Sequence, residues 1–128
     1  MNTTNTDKKL LFIDDEENIR QIVGACLEYF SDWKPTIAAS GKDGLEAIAE
    51  SKPDAILLDV MMPDMDGFTF LKELQSDPAL ASIPVVLLTS RTDLTEPHKF
   101  SQLGVKGAIA KPFSSVKLVL QIAKILGW

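Results

Sequence analysis

Short uninterrupted apolar runs recur along this chain, and most are closed by a residue whose side chain can do chemistry. Residues 9–13 (KLLFI) run into Asp14 and Asp15, 55–58 (AILL) into Asp59, 85–88 (VVLL) into Thr89, and 108–110 (AIA) into Lys111. Unbroken runs of this length predict strands covered on both faces rather than half-exposed ones. Residues 34–39 (KPTIAA) fit one more strand, brief and weakened by Pro35. Between the runs the apolar positions take helical spacing. Ile19, Ile22, Val23, Cys26, Leu27 and Phe30 mark one face of the clearest helix, whose leading acids suit a helix N-terminus. Ser40 is placed to cap a second helix through Glu50, with Leu45 and Ile48 inward. Phe68, Phe70, Leu71 and Leu74 predict a third that stops before Asp77 and Pro78. A fourth, within residues 92–103, starts near Asp93 to Glu96, because Pro97 is tolerated only in a first turn, and Gly104 ends it. The last runs from Ser114 or Ser115 to Leu126. In it Val116, Val119, Leu120 and Ala123 are expected to face the core. Leu118, Ile122 and Ile125 form a second, partly covered stripe that suggests a docking or homodimer surface.

Five strand–helix pairs in strict alternation predict an α/β fold, a doubly wound five-stranded parallel sheet with five helices on its two faces. At 128 residues the chain is one domain, read as a flexible tail over residues 1–7 and the domain over 8–128. No apolar run approaches the roughly 20 residues of a membrane span, and the polar start lacks the core of a secretory signal, so a cytoplasmic protein is expected. A lone cysteine, Cys26, forms no internal disulfide and is expected to fill the core. The net charge of -5 argues against a sequence-independent grip on nucleic acid, which needs clustered Lys and Arg, and leaves proteins and cations as the expected partners.

A parallel sheet gathers the C-terminal ends of its strands at one edge, where ligands bind. That edge would collect Asp14, Asp15, Asp59, Thr89 and Lys111. Three carboxylates together repel one another unless a cation joins them. All-oxygen donors without a His/Cys cluster point to Mg2+, with Asp15 and Asp59 as direct ligands, Asp14 acting through water and the backbone carbonyl of Met61 completing the set. A phosphoryl group on Asp59 would meet the metal, the Lys111 ammonium and the Thr89 hydroxyl, which makes Asp59 a candidate nucleophile. Taken singly, each has a plainer role: Asp59 as a turn residue, Asp14 and Asp15 as helix-start acids, Thr89 as an ordinary strand residue, Lys111 as a solvated lysine. The combination outweighs those readings. His98 reads as a surface residue, and Met61, Met62 and Met65, in a loop with Pro63, as loop packing.

From residue 8 to about 126 the chain also resembles the receiver domain of two-component response regulators, of the stand-alone, chemotaxis-regulator-like type. The likeness rests on Asp14-Asp15 after the first strand, LLDVMMPDMDG around Asp59, Thr89 closing LLTS, and Lys111 in AKPF. It implies a flavodoxin-like sheet of order 2-1-3-4-5 and a cis Lys111–Pro112 bond. It also implies Mg2+-dependent transfer of a phosphoryl group to Asp59 from the histidine of a sensor kinase or histidine phosphotransfer protein. In that family an aromatic on the fifth strand rotates inward behind the hydroxyl residue; here the position holds Ala108, so the signal is expected to pass through the Thr89 loop and the Pro97 helix. The surface of the fourth helix, fifth strand and last helix is expected to change. Met61 and Arg91, two beyond Asp59 and Thr89, flank the path of an attacking water and are expected to influence phosphoryl lifetime. With no effector domain after Trp128, output is expected through a downstream protein target, and the chain is expected to be a switch rather than a conventional enzyme. Two rival readings are an interaction module of the same fold with an idle pocket and an aspartyl-phosphate phosphatase of the haloacid dehalogenase type. The latter wants a second acid where Met61 stands.

Overall fold

The computed structural model describes residues 8–62 and 66–128; the expectations for residues 1–7, Pro63 and Met65 lie outside them. The chain alternates β1 (Lys9–Ile13), α1 (Glu17–Phe30), β2 (Lys34–Ala38), α2 (Gly41–Glu50), β3 (Ala55–Leu58), α3 (Gly67–Ser76) and β4 (Val85–Thr89). It continues through a 3-10 turn (Thr92–Thr95), α4 (Pro97–Gln102), β5 (Gly107–Ala110) and α5 (Leu118–Leu126). The sheet has the order β2-β1-β3-β4-β5, as the resemblance implied, and its pairings are all parallel. Ile13 pairs with Leu58 and Leu58 with Leu87, while Thr89 pairs with Ala110, so β1 and β3 end level, β4 and β5 end level two residues further on, and the strand ends share one edge.

Alternate residues of the central strands feed two cores, as a side-chain period of two requires. Leu11, Ile13, Ile56, Leu58 and Leu87 meet Ile48 of α2 and Phe70 and Leu74 of α3 on one face. Leu10, Phe12, Leu57, Val86, Leu88 and Ile109 meet Val23 and Leu27 of α1 and Leu118 and Ile122 of α5 on the other. Each fully buried aliphatic or aromatic side chain contributes about 1.5–3 kcal/mol. That explains why these strands carry no polar alternation. Pro35 lies on β2, the sheet's edge, where its missing N–H costs least.

Helix starts follow local chemistry. The Ser40 hydroxyl accepts the Asp43 N–H at 3.1 Å, and the Asp66 carboxylate accepts that of Thr69 at 2.9 Å. The expected fourth helix is split, because Pro97 has no N–H to continue a helix begun before it; it opens α4 instead, with Glu96 capping the His98 N–H at 2.8 Å. The last helix starts at Leu118, later than expected, after a turn in which the Ser114 carbonyl accepts from Lys117 and Leu118.

Two burial expectations are corrected. On α5 the division between the stripes differs from the one expected: Val119 is buried and Ala123 packs against the core as expected, but Leu118 and Ile122 are buried as well, whereas Val116 and Leu120 are 67% and 70% exposed. Both stripes are apolar, so packing chooses between them. Gly107 of β5 leaves room for Ile125, whose carbons would lie 2.9–3.1 Å from any added Cβ, and that contact turns Leu118 and Ile122 inward. The homodimer surface read from Leu118, Ile122 and Ile125 is therefore not exposed. On α1, Val23, Cys26 and Leu27 are buried but Ile22 and Phe30 remain 44% and 50% exposed, because the covered arc is narrower than the apolar one. At the opposite edge from the strand C-termini, Trp33 and Trp128 stack edge to face with centroids 5.0 Å apart, and the Lys8 ammonium lies 5.4 Å from the Trp128 ring.

Two glycine substitutions should have opposite signs. A Cβ on Gly67 would fall 2.4 Å from the Val60 Cα and 2.9 Å from the Asp59 carbonyl oxygen, backbone that cannot move aside cheaply. Gly67→Ala should destabilise by about 1–3 kcal/mol. On α1, a Cβ at Gly24 meets only the tip of Ile37 at 3.0 Å, so Gly24→Ala should be neutral or stabilise by up to about 1 kcal/mol. Urea unfolding of the two variants checks both signs.

Candidate functional site

Three strand exits build the site by one local device. The carboxylate of Asp14 accepts the Glu16 N–H at 2.9 Å, that of Asp59 accepts the Met61 N–H at 3.0 Å, and the Thr89 hydroxyl oxygen accepts the Arg91 N–H at 2.9 Å. Each is a side chain folded onto the backbone two residues on, the turn that Asp and Thr favour where a strand stops. The backbone ties the exits together: Asp59 N–H donates to Ile13 and Lys111 N–H to Thr89. Asp14, Asp59 and Thr89 are buried, and Asp15 is more exposed at the rim.

Lys111 closes the pocket. It follows β5 and precedes a cis bond to Pro112. Its ammonium donates to Asp14 Oδ2 at 2.8 Å and lies 3.7 Å from Asp59 Oδ2 and 3.9 Å from Glu16 Oε1. Asp14, Asp15 and Asp59 each offer one oxygen, all within 4.8 Å of one another. Burial pushes the Asp59 carboxyl up to about 6, against the opposing pull of the Met61 N–H and Lys111, and the neighbouring Asp14 and Asp15 add to the rise. Three acids balanced by one closely paired lysine, two of them out of solvent, fit a hard divalent cation with oxygen ligands.

The residues expected at the strand ends are thus brought together. Met61 meets the site through its N–H, while its side chain is 56% exposed. Ala108 is half-buried on β5 opposite Leu87, packed against a core that includes Leu94 of the 3-10 turn. His98 is exposed, and Cys26 is buried among the core residues away from the acids. Sequence reasoning missed Arg20, whose guanidinium donates to the Asp14 carbonyl at 3.0 Å; a backbone acceptor leaves no mark in a sequence. It also missed that Arg91 pairs with Asp93 at 2.7 Å while lying 5.9 Å from the Phe68 ring.

The raised Asp59 carboxyl has a stability consequence. Between pH about 4 and about 6 the folded chain holds a proton that the unfolded chain releases, so this group's contribution falls as pH rises through that window and is a full cost above it. Without divalent ions, Asp59→Asn should be more stable than wild type by about 1–3 kcal/mol at pH 7.5, because each tenfold change in proton affinity on folding is worth roughly 1.4 kcal/mol. The gap should close near pH 4. Equal denaturant midpoints at pH 7.5 would contradict this account.

Comparison with known proteins agrees with this architecture. The response regulator receiver domain family matches residues 10–123. The response regulator Rre1 of Synechocystis is 33% identical over 117 residues, covering 91% of this chain and 51% of that protein. A probable transcriptional regulator, ycf27, of Guillardia theta is 31% identical over 121 residues, covering 94% and 46%. The chain spans about half the length of these curated relatives, so they do not support the expectation of a stand-alone regulator. The chemotaxis response regulator CheY4 of Vibrio cholerae superposes with a TM-score of 0.82 at 28% identity, covering 93% of this chain and 98% of that one. No helix among the described residues is long and apolar enough to cross a membrane. With the fold, the strand-end acids and the family match in agreement, this chain belongs to the receiver domains of two-component response regulators.

Proposed function

We propose that Asp59 accepts a phosphoryl group from a phosphohistidine on a sensor kinase or a histidine phosphotransfer protein, and that the chain thereby acts as a signalling switch rather than a conventional enzyme. The observation that carries this reading is the buried Asp59 carboxylate with one oxygen 3.7 Å from a lysine that simultaneously holds Asp14. An Asp59 oxygen attacks phosphorus, the P–N bond to the donor imidazole breaks, and the electron pair stays on the ring nitrogen, which takes up a proton. A P–O bond to Asp59 forms. Lys111 stabilises the negative charge on the transferring group. Thr89, whose oxygen already accepts the Arg91 N–H, keeps its hydroxyl proton free to donate to a phosphoryl oxygen. Water later removes the group by attacking phosphorus: the P–O bond to Asp59 breaks, inorganic phosphate leaves with the water's oxygen, and the Asp59 carboxylate is restored.

Asp15 and Asp59, with the Met61 carbonyl, would hold Mg2+. Asp14, both of whose oxygens already accept bonds from Glu16 and Lys111, suits an indirect role through water. When bound, the ion would neutralise charge on the phosphoryl oxygens. The raised Asp59 carboxyl supports a need for that second positive charge. With Ala108 in place of an aromatic, the route outward favoured by the packing runs from Thr89 through the Arg91 N–H to the 3-10 turn and Leu94. The acidic surface favours a protein target over nucleic acid for this domain.

Incubation with acetyl phosphate and Mg2+ should add the mass of one phosphoryl group to wild type and none to Asp59→Asn; chelation of Mg2+ should abolish it. An unlabelled wild type would leave the idle-pocket reading. Steady turnover of many phosphate esters would favour the phosphatase. Amide NMR shifts of the 3-10 turn and β5 should move on phosphorylation, and their constancy would rule out the Leu94 route.

A further inference from the structure

A helical arginine pairs most readily with an acid three or four residues before it. Arg20 of α1 has one at each spacing, Glu17 and Glu16. It uses neither. The Glu17 carboxylate accepts the Gln21 amide N–H at 3.4 Å, Glu16 lies 3.9 Å from the Lys111 ammonium, and Arg20 makes no ion pair among the described residues. The half-buried guanidinium reaches back instead to a neutral group, the Asp14 carbonyl, at 3.0 Å. A cation near the start of a helix also opposes the helix dipole. Helix stability therefore does not explain the contact.

The place of that carbonyl in the acidic turn does. Asp14 is held at each of its other polar atoms: its N–H donates to the Ala38 carbonyl at 3.2 Å, one carboxylate oxygen accepts the Glu16 N–H at 2.9 Å, and the second accepts from the Lys111 ammonium at 2.8 Å. Asp15 is not held in this way. Its carboxylate accepts no hydrogen bond from the described residues, yet one of its oxygens lies within 4.8 Å of oxygens of Asp14 and Asp59. Among the bonds within the turn, the Arg20 contact is the one made to the peptide between the two acids. A peptide is planar, so a bond that fixes its oxygen also orients its N–H and the Cα that follows, here that of Asp15. Rotation of this plane would swing the Asp15 side chain away from Asp59.

We infer that Arg20 is a positioning residue for the cation site: by holding the Asp14–Asp15 peptide it keeps the Asp15 carboxylate beside that of Asp59, where one divalent ion would take both. The inference rests on the reading of Asp15 and Asp59 as Mg2+ ligands. Arg20 then raises metal affinity through geometry and against its own charge, because a cation beside three acids weakens the binding of another cation.

Titration of the full, unphosphorylated chain with Mg2+, followed by the amide NMR shifts of Asp15, Glu16 and Asp59, tests this without any phosphotransfer. Circular dichroism verifies the fold of each variant. Wild type should give saturable shifts at these amides. Arg20→Gln should raise the Kd by about tenfold, the usual result of losing a hydrogen bond that orients a metal ligand. Arg20→Lys, which keeps the charge and a donor at shorter reach, should fall between the two. In an Asp15→Asn background, Arg20→Gln should change the Kd by less than about twofold, because the carboxylate it positions is already gone. A Kd for Arg20→Gln equal to or below that of wild type would overturn the inference and leave Arg20 as a charge at the rim. So would an equal loss in both backgrounds, since Arg20 would then act without Asp15. A wild type with no saturable shift would overturn the Mg2+ reading itself, and the inference with it.

Discussion

The 2.8 Å contact between the Lys111 ammonium and the Asp14 carboxylate is the constraint on which the pocket depends. It links the end of β5 to the end of β1, strands that are separated in the sheet by β3 and β4. A buried pair of this kind repays its desolvation only with good geometry and further hydrogen bonds. Both are supplied at the strand ends: Asp14 receives the Glu16 N–H on its other oxygen, and the backbone ladder sets where Lys111 leaves the sheet. Slip β5 by one residue and the ammonium would face the other side, because side chains alternate along a strand.

That register is held by two apolar cores rather than by the polar groups themselves. Phe12 and Phe70 are fully buried on opposite faces, and the central strands have no solvent side on which a shifted pairing could be tolerated. The site is built on the rigid part of the molecule, and its three turn bonds are local additions to that frame. On Asp59 and Thr89 that bond uses one oxygen lone pair and leaves the rest of the side chain open to a ligand, whereas the second oxygen of Asp14 is taken by Lys111. This is how a buried Asp59 can be both tied in place and chemically available.

Much of this was legible because parallel strands announce themselves as unbroken apolar runs, and the residues closing those runs must converge once the strands are parallel. Asp14, Asp59, Thr89 and Lys111 were readable on that ground. What was not legible depends on distances that a sequence does not carry. The two apolar stripes of α5 are indistinguishable by composition, and a glycine on β5 decides between them through Ile125. Arg20 escaped notice because its partner is a carbonyl, and the 3-10 turn because Pro97 marks where a helix begins without saying what precedes it.

The placement of the indoles determines how the molecule can be watched. Both tryptophans of the chain, Trp33 and Trp128, meet edge to face at the edge of the sheet away from the acids. Intrinsic fluorescence therefore reports whether the ends of α1 and α5 remain together. It carries no direct signal from a cation or a phosphoryl group at the other edge. An optical reading of the site calls for a chromophore installed beside it, and the exposed side chain of Met61 offers a position that borders the acids without contributing one.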